Sequence, residues 1–122
     1  MIERIRVLLD GVEYPVRYIG IDTPETHHPD VGVEPFGREA ADANQQLLAG
    51  GVVLLEKDVS EVDRYNRLLR YVYLPDGRMV NAELVRMGFA QAATYPPDVR
   101  YQDLFLALQA EARAEGRGLW GE

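Results

Sequence analysis

The chain has 122 residues, 47% of them apolar, which is the size of one domain with a core of its own and too small for two. Thirteen Lys and Arg against twenty Asp and Glu give a net charge of −7, which excludes bulk electrostatic capture of a polyanion and requires any phosphate-binding site to be local. Cysteine is absent, excluding disulfides and thiolate metal sites, and no apolar run reaches the length of a membrane-spanning helix.

Along the chain, Ile5, Val7 and Leu9 alternate with Arg6 and Leu8, Asp10-Gly11 supplies a hairpin turn, and Tyr14, Val16 and Tyr18 alternate with Arg17 and Ile19. The run "YPVRYIGIDTPE" then ends in two carboxylates, Asp22 and Glu25, with Arg17 five residues before the first of them. A Pro- and Gly-rich loop follows, and "EPFGREAADANQQLLAGG" reads as a helix stopped by Gly50-Gly51. "VVLLEKDV" (52–59) and "RLLRYVYL" (67–74) read as strands. Asn81 is expected to cap a short helix ended by Gly88, and Pro97-Asp98 to start a longer one that runs to Gly116. Strands around one helix, with two more helices at the end, predict a small Greek-key barrel, with an antiparallel α+β sandwich as second choice.

Five stretches in fixed order, "VRYIGIDTPE", "FGREA", "DRYNRLLRYVY", "PDGRMVNAELVRMGFA" and the terminal "GLW", resemble the staphylococcal nuclease (thermonuclease) family and span nearly the whole chain. The resemblance implies a single domain over residues 1–122 with an OB-fold, a five-stranded Greek-key barrel with three α-helices. It also implies a calcium-dependent nuclease that hydrolyses phosphodiester bonds of DNA, RNA or both. By that resemblance Arg17 and Arg67 bind the scissile phosphate, Glu25 is the general base, Asp22 and the Thr23 carbonyl ligate calcium, and Tyr65 and Tyr95 lie near the nucleotide. The family's first calcium aspartate, in a "DGDT" stretch, falls where this chain has Glu3, and the strand before it has no counterpart ahead of Met1.

The residue chemistry agrees with that assignment. Two planar guanidinium forks suit a phosphoryl group gathering negative charge better than ammonium groups do, because each makes paired hydrogen bonds. Calcium takes about six to eight hard oxygen ligands, a mixture that carboxylate, carbonyl, water and phosphate can supply together. Asn66, where relatives carry glycine, is the next most tolerant residue for a left-handed turn that aims Arg67. On this reading the two arginines must converge on one pocket facing the acidic residues. Arg64 and Arg70 read as surface or ion-pairing residues. The alternative function is a catalytically silent OB-fold module that binds nucleic acid or protein. A shortened first strand also leaves a barrel edge open to pairing with a second copy, giving a homodimer. The sequence shows no secretory leader, so the expected location is cytoplasmic, or secreted if an upstream leader has been lost.

Overall fold

The computed structural model describes residues 4–24 and 36–121. Strands β1 (Arg4–Leu9) and β2 (Val12–Tyr18) form the expected hairpin, in register from Leu9 opposite Val12 back to Ile5 opposite Val16. Its turn residues, Asp10 and Gly11, have φ of 49° and 82°, the paired positive values that make a two-residue turn match the twist of the strands. The chain continues through β3 (Ile21–Asp22), α1 (Gly37–Leu47), β4 (Leu54–Glu56), β5 (Leu68–Tyr73), α2 (Val80–Arg86), β6 (Gln91–Ala92) and α3 (Gln102–Ala114) to a last 3-10 turn at Gly118–Trp120.

Four strands make one curled sheet in the order β1-β2-β5-β4, and β3 and β6 pair in a separate two-stranded ribbon. Together with the three helices this is the half-barrel of the OB-fold α+β class. Because β2 and β5 run parallel, with Val16 opposite Leu68 and Arg17 opposite Leu69, the residues at the start of β5 arrive beside the end of β2. That one pairing sets the position of the site.

The core draws on both sheets and all three α-helices, with Val16, Tyr18, Ile21, Tyr71, Leu84 and Phe105 all buried. Two polar residues inside it tie elements together. The Tyr18 hydroxyl donates to Asn44 Oδ1 of α1 at 2.6 Å. Asn81 accepts from the Val72 N–H at 2.9 Å and donates to the Ile19 carbonyl at 2.9 Å. Asn81 is therefore not a helix cap: Met79 caps α2 in extended backbone, and Asn81 lies one residue inside the helix, fully buried, where it satisfies main-chain groups that the curled sheet leaves unpaired.

The expected strand over 52–59 shrinks to Leu54–Glu56, because from Lys57 onward the backbone turns away toward the segment before α3. Likewise Pro97-Asp98 does not begin a helix; α3 starts at Gln102, and the Asp98 carboxylate accepts amides from another loop. No helix of the described residues is long and apolar enough to cross a membrane.

Candidate active site

The site begins with a tight reversal. Gly20, at φ 81°, turns the chain between β2 and β3, and a Cβ there would lie 2.6 Å from the Phe105 ring, so both backbone shape and packing demand glycine. The turn brings Asp22 back to Arg17, whose Nη2 donates to Asp22 Oδ1 at 3.1 Å while Nη1 donates to the Tyr18 carbonyl at 2.9 Å. The guanidinium is thereby held at two points in a largely buried position. Ala93 N–H donates to the Gly20 carbonyl at 2.8 Å, drawing in the segment that carries Tyr95. The Tyr95 hydroxyl donates to the second oxygen of Asp22 at 3.0 Å, and its ring lies 5.4 Å from the Arg17 guanidinium carbon. Partial burial, then the hydrogen bond to Asp22, raise the Tyr95 phenol above its usual pKa and keep it a donor.

Arg67 is aimed by the turn before β5. Asp63 Oδ1 accepts from the main-chain N–H groups of Tyr65 at 2.8 Å and Arg67 at 3.0 Å, and Oδ2 accepts from Arg67 Nε at 2.6 Å. Asn66 takes the left-handed conformation at φ 65°, as its residue type allows. Burial works to raise the Asp63 pKa, but the N–H groups and guanidinium of this turn outweigh it and hold the carboxyl below its usual range. The root of the Arg67 side chain is thus fixed. Among the described residues its two terminal nitrogens make no hydrogen bond to protein.

Arg17 and Arg67 line one cavity of about 330 Å³, together with Asp63, Arg64, Tyr65 and Tyr95. Both arginines that the sequence singled out thus lie on the wall of a single pocket. Tyr65 stands at its rim, with Arg64 and Arg67 lying 4.9 and 5.2 Å over its ring. Three arginines line this small cavity together with the carboxylates of Asp63 and Asp98, two of the arginines being paired with Asp22 and Asp63, so cationic donors are gathered locally on a protein of net charge −7. Arg70 is ion-paired with Glu61, as its surface reading expects. Arg64 differs: it makes no ion pair among the described residues, donates to the Tyr65 hydroxyl at 2.8 Å and lines the cavity.

Thr23 is buried beside Asp22. Glu25 and Glu3, the expected base and the expected metal ligand, lie outside the described residues. Among the described residues no cluster of three or more acidic or histidine side chains is assembled for a metal. What the structure offers a cation is Asp22, whose side chain is 45% exposed. Among the described residues each of its oxygens is engaged once, which leaves a further lone pair on each.

The match to known proteins agrees with this layout: the family model for staphylococcal nuclease homologues fits residues 15–122. The chain belongs to this family. Its relatives include the thermonuclease of Staphylococcus hyicus, 40% identical over 111 residues, covering 91% of this chain and 65% of the relative. Two others come from Bacillus subtilis (strain 168). The endonuclease YncB is 37% identical over 122 residues, covering 98% of this chain and 57% of the relative. The SPbeta prophage-derived endonuclease YokF is 38% identical over 122 residues, covering 98% of this chain and 41% of the relative. The chain thus spans less than two thirds of the length of each of these nuclease-family proteins.

Sequence reasoning missed two carboxylates that shape this site, Asp63 and Asp98. A signal for the first was present, since an aspartate two residues before Tyr65 and four before Arg67 is the spacing of a side chain that caps its own turn. For Asp98 there was none, because its amide partners are 38 and 39 residues away.

Proposed function

We propose that this protein is a nuclease that cleaves phosphodiester bonds of DNA or RNA with calcium as cofactor. The observation that carries the proposal is that Arg17, bonded to Asp22, and Arg67 line one cavity. In this reading the two guanidinium groups grip the phosphate from two sides and stabilise the charge that builds on its oxygens during in-line displacement. Glu25 takes the proton from the attacking water, and Tyr65 and Tyr95 hold the nucleotide by its flat faces.

The donor set near the cavity suits calcium in kind, because Asp22 and the Thr23 carbonyl are hard oxygen donors, with Glu3 proposed as a third. When bound, the ion supplies charge to polarise a phosphate oxygen and to acidify a water. Few protein ligands imply that substrate phosphate completes the shell, so calcium and nucleotide should bind cooperatively.

The test is cleavage of a fluorescent single-stranded DNA, with calcium and with EDTA, by the wild type and by Arg67→Ala. Cleavage that needs calcium and falls at least about a hundredfold in the variant is expected. Full activity in EDTA would sink the metal mechanism. Absence of cleavage in calcium, with DNA still bound, would leave the silent binding module as the correct reading.

The proposal extends to assembly. The edge strands of the sheet, β1 and β4, face one cleft of about 830 Å³ lined by Ile5, Val7, Leu9, Leu48 and Leu55, and by Leu8, which is 73% exposed. The proposed occupant is β1 of a second copy, since an open strand edge presents unpaired main-chain groups to another strand. Antiparallel pairing about a two-fold axis at Val7 sets Ile5 opposite Leu9 and Arg6 opposite Leu8, whereas a register centred on Arg6 would oppose two arginines. Light scattering should give a dimer, and a monomer at high concentration would reject it.

A further inference from the structure

The two loops that build the cavity have little regular structure of their own. One, residues 57–67 between β4 and β5, carries Asp63, Tyr65 and Arg67; the other, residues 93–101 between β6 and α3, carries Tyr95. Short irregular segments of this kind wander unless something outside them fixes the backbone. In this protein each loop sends an aspartate to the main chain of the other. Asp98, buried at 7% exposure, accepts from the N–H groups of Val59 at 3.0 Å and Ser60 at 2.8 Å through one oxygen. Asp58, from the first loop, accepts from the Arg100 N–H at 2.9 Å and from the hydroxyl of buried Tyr71 at 2.6 Å. The Arg100 guanidinium reaches back to Glu56 at 3.1 Å, just ahead of the first loop.

We infer that Asp58 and Asp98 form a reciprocal clasp that holds the Arg67 loop against the Tyr95 segment and so preforms the cavity before substrate arrives. They are positioning residues for the activity proposed above, on which this inference rests. Three observations separate the clasp from ordinary loop packing. First, Asp98 makes no ion pair among the described residues, so its charge is spent on two amides of the opposite loop. Second, Asp98 lines the cavity itself, and its own N–H donates to the Tyr95 carbonyl at 3.0 Å, so the same residue fixes Tyr95 and the start of the Arg67 loop. Third, the Val59 and Ser60 amides open the stretch that leads to Asp63 and Arg67, so the carboxylate holds the start of the loop that aims the arginine. Loss of these bonds removes some stability and releases the loop that aims Arg67, so the variant is read against one destabilised elsewhere. A displacement of about 1 Å in a reacting group can cost on the order of a hundredfold in rate, which is how a clasp away from the phosphate would reach the chemistry.

Two measurements test the inference. Hydrogen–deuterium exchange on the apo protein should show faster exchange at residues 59–67 in Asp98→Ala, and at Arg100 in Asp58→Ala, with β5 and α2 as protected as in the wild type. Steady-state cleavage of single-stranded DNA in saturating calcium, well below each melting temperature, should show kcat/KM about 10- to 100-fold lower in Asp98→Ala. Asp98→Asn, which keeps an acceptor oxygen, should recover most of that loss. Val85→Ala, a truncation at a buried position of α2, serves as the control for lost stability.

The clasp is overturned if exchange at 59–67 is unchanged in Asp98→Ala, or if its kcat/KM matches that of Val85→Ala. Should the wild type cleave nothing, the nuclease reading fails and the exchange experiment alone decides the clasp.

Discussion

Replacing Arg67 by lysine separates the charge of the proposed phosphate clamp from its shape. In the native site Nε of Arg67 is bound to Asp63 at 2.6 Å, and the main-chain N–H of the same residue is bound to the other Asp63 oxygen at 3.0 Å. The fork is therefore set at its root, with its terminal nitrogens directed by geometry rather than by chance. Lysine keeps the positive charge and most of the reach, but with a single nitrogen in place of three it loses both the Asp63 anchor and one of two parallel hydrogen bonds to phosphate. One charge-assisted hydrogen bond is worth about 1.5–3 kcal/mol, which at about 1.4 kcal/mol per decade is about a 10- to 150-fold loss in rate. Folding should suffer less. The two side chains are 15% and 14% exposed, and Asp63 keeps its two main-chain donors, so a cost of about 1 kcal/mol is expected. Single-turnover cleavage of a fluorescent single-stranded DNA in saturating calcium measures the first effect, and thermal unfolding followed by circular dichroism the second. A lysine variant within about threefold of the wild-type rate would show that charge alone suffices and that the fork plays no part in the chemistry.

Three further changes probe other parts of the account. Tyr95→Ala should raise KM for single-stranded DNA about 5- to 150-fold through loss of a stacking face, whereas Tyr95→Phe, which keeps the ring on Arg17, should change it only about two- to fivefold; equal losses would place the contribution in the hydroxyl instead. Gly20→Ala should cost about 2–5 kcal/mol, from the positive φ and the contact with Phe105, and lower the melting temperature by about 10–20 °C; an unchanged melting temperature would contradict the packing described for the turn. Asp63 and Asp98 both have carboxyl pKa values held below the ordinary aspartate value of 3.8, burial opposing and the donated N–H groups prevailing. Their contribution to stability is therefore complete above about pH 3.8 and is lost as the pH falls through the lower folded values. Acid titration of the melting temperature should show a shallower fall below that pH in Asp63→Asn than in the wild type.

The placement of Arg17 beside Asp22 and the turn that carries Arg67 were legible in the sequence because their determinants are local. Arg17 and Asp22 sit five residues apart across a glycine turn, and Asn66 is a residue type that tolerates the left-handed conformation found there. The residues that escaped were those whose role depends on a distant partner. Asp98 follows a proline and looks like a helix start, because an aspartate that caps a helix and one that clasps another loop use the same chemistry, a carboxylate accepting amides. Asn81 misled in the same way, since its amide serves β5 and the chain at Ile19 rather than the helix that contains it. The apolar run at 52–59 promised a longer strand than exists because Val52 and Val59 are exposed, and apolar content alone does not reveal which side chains are covered.

The central claim is that Arg17 and Arg67 act as one clamp on one phosphate, and a double-mutant cycle on the cleavage step tests it most directly. Single-turnover rates of the wild type, Arg17→Ala, Arg67→Ala and the double variant are compared in saturating calcium. Each single variant should lose about 100- to 1,000-fold, and the double variant no more than about tenfold beyond the worse of the two, because half a clamp retains little of the function. Losses that multiply in full would mean that the two arginines work independently, and single variants near the wild-type rate would mean that neither touches the reacting phosphate.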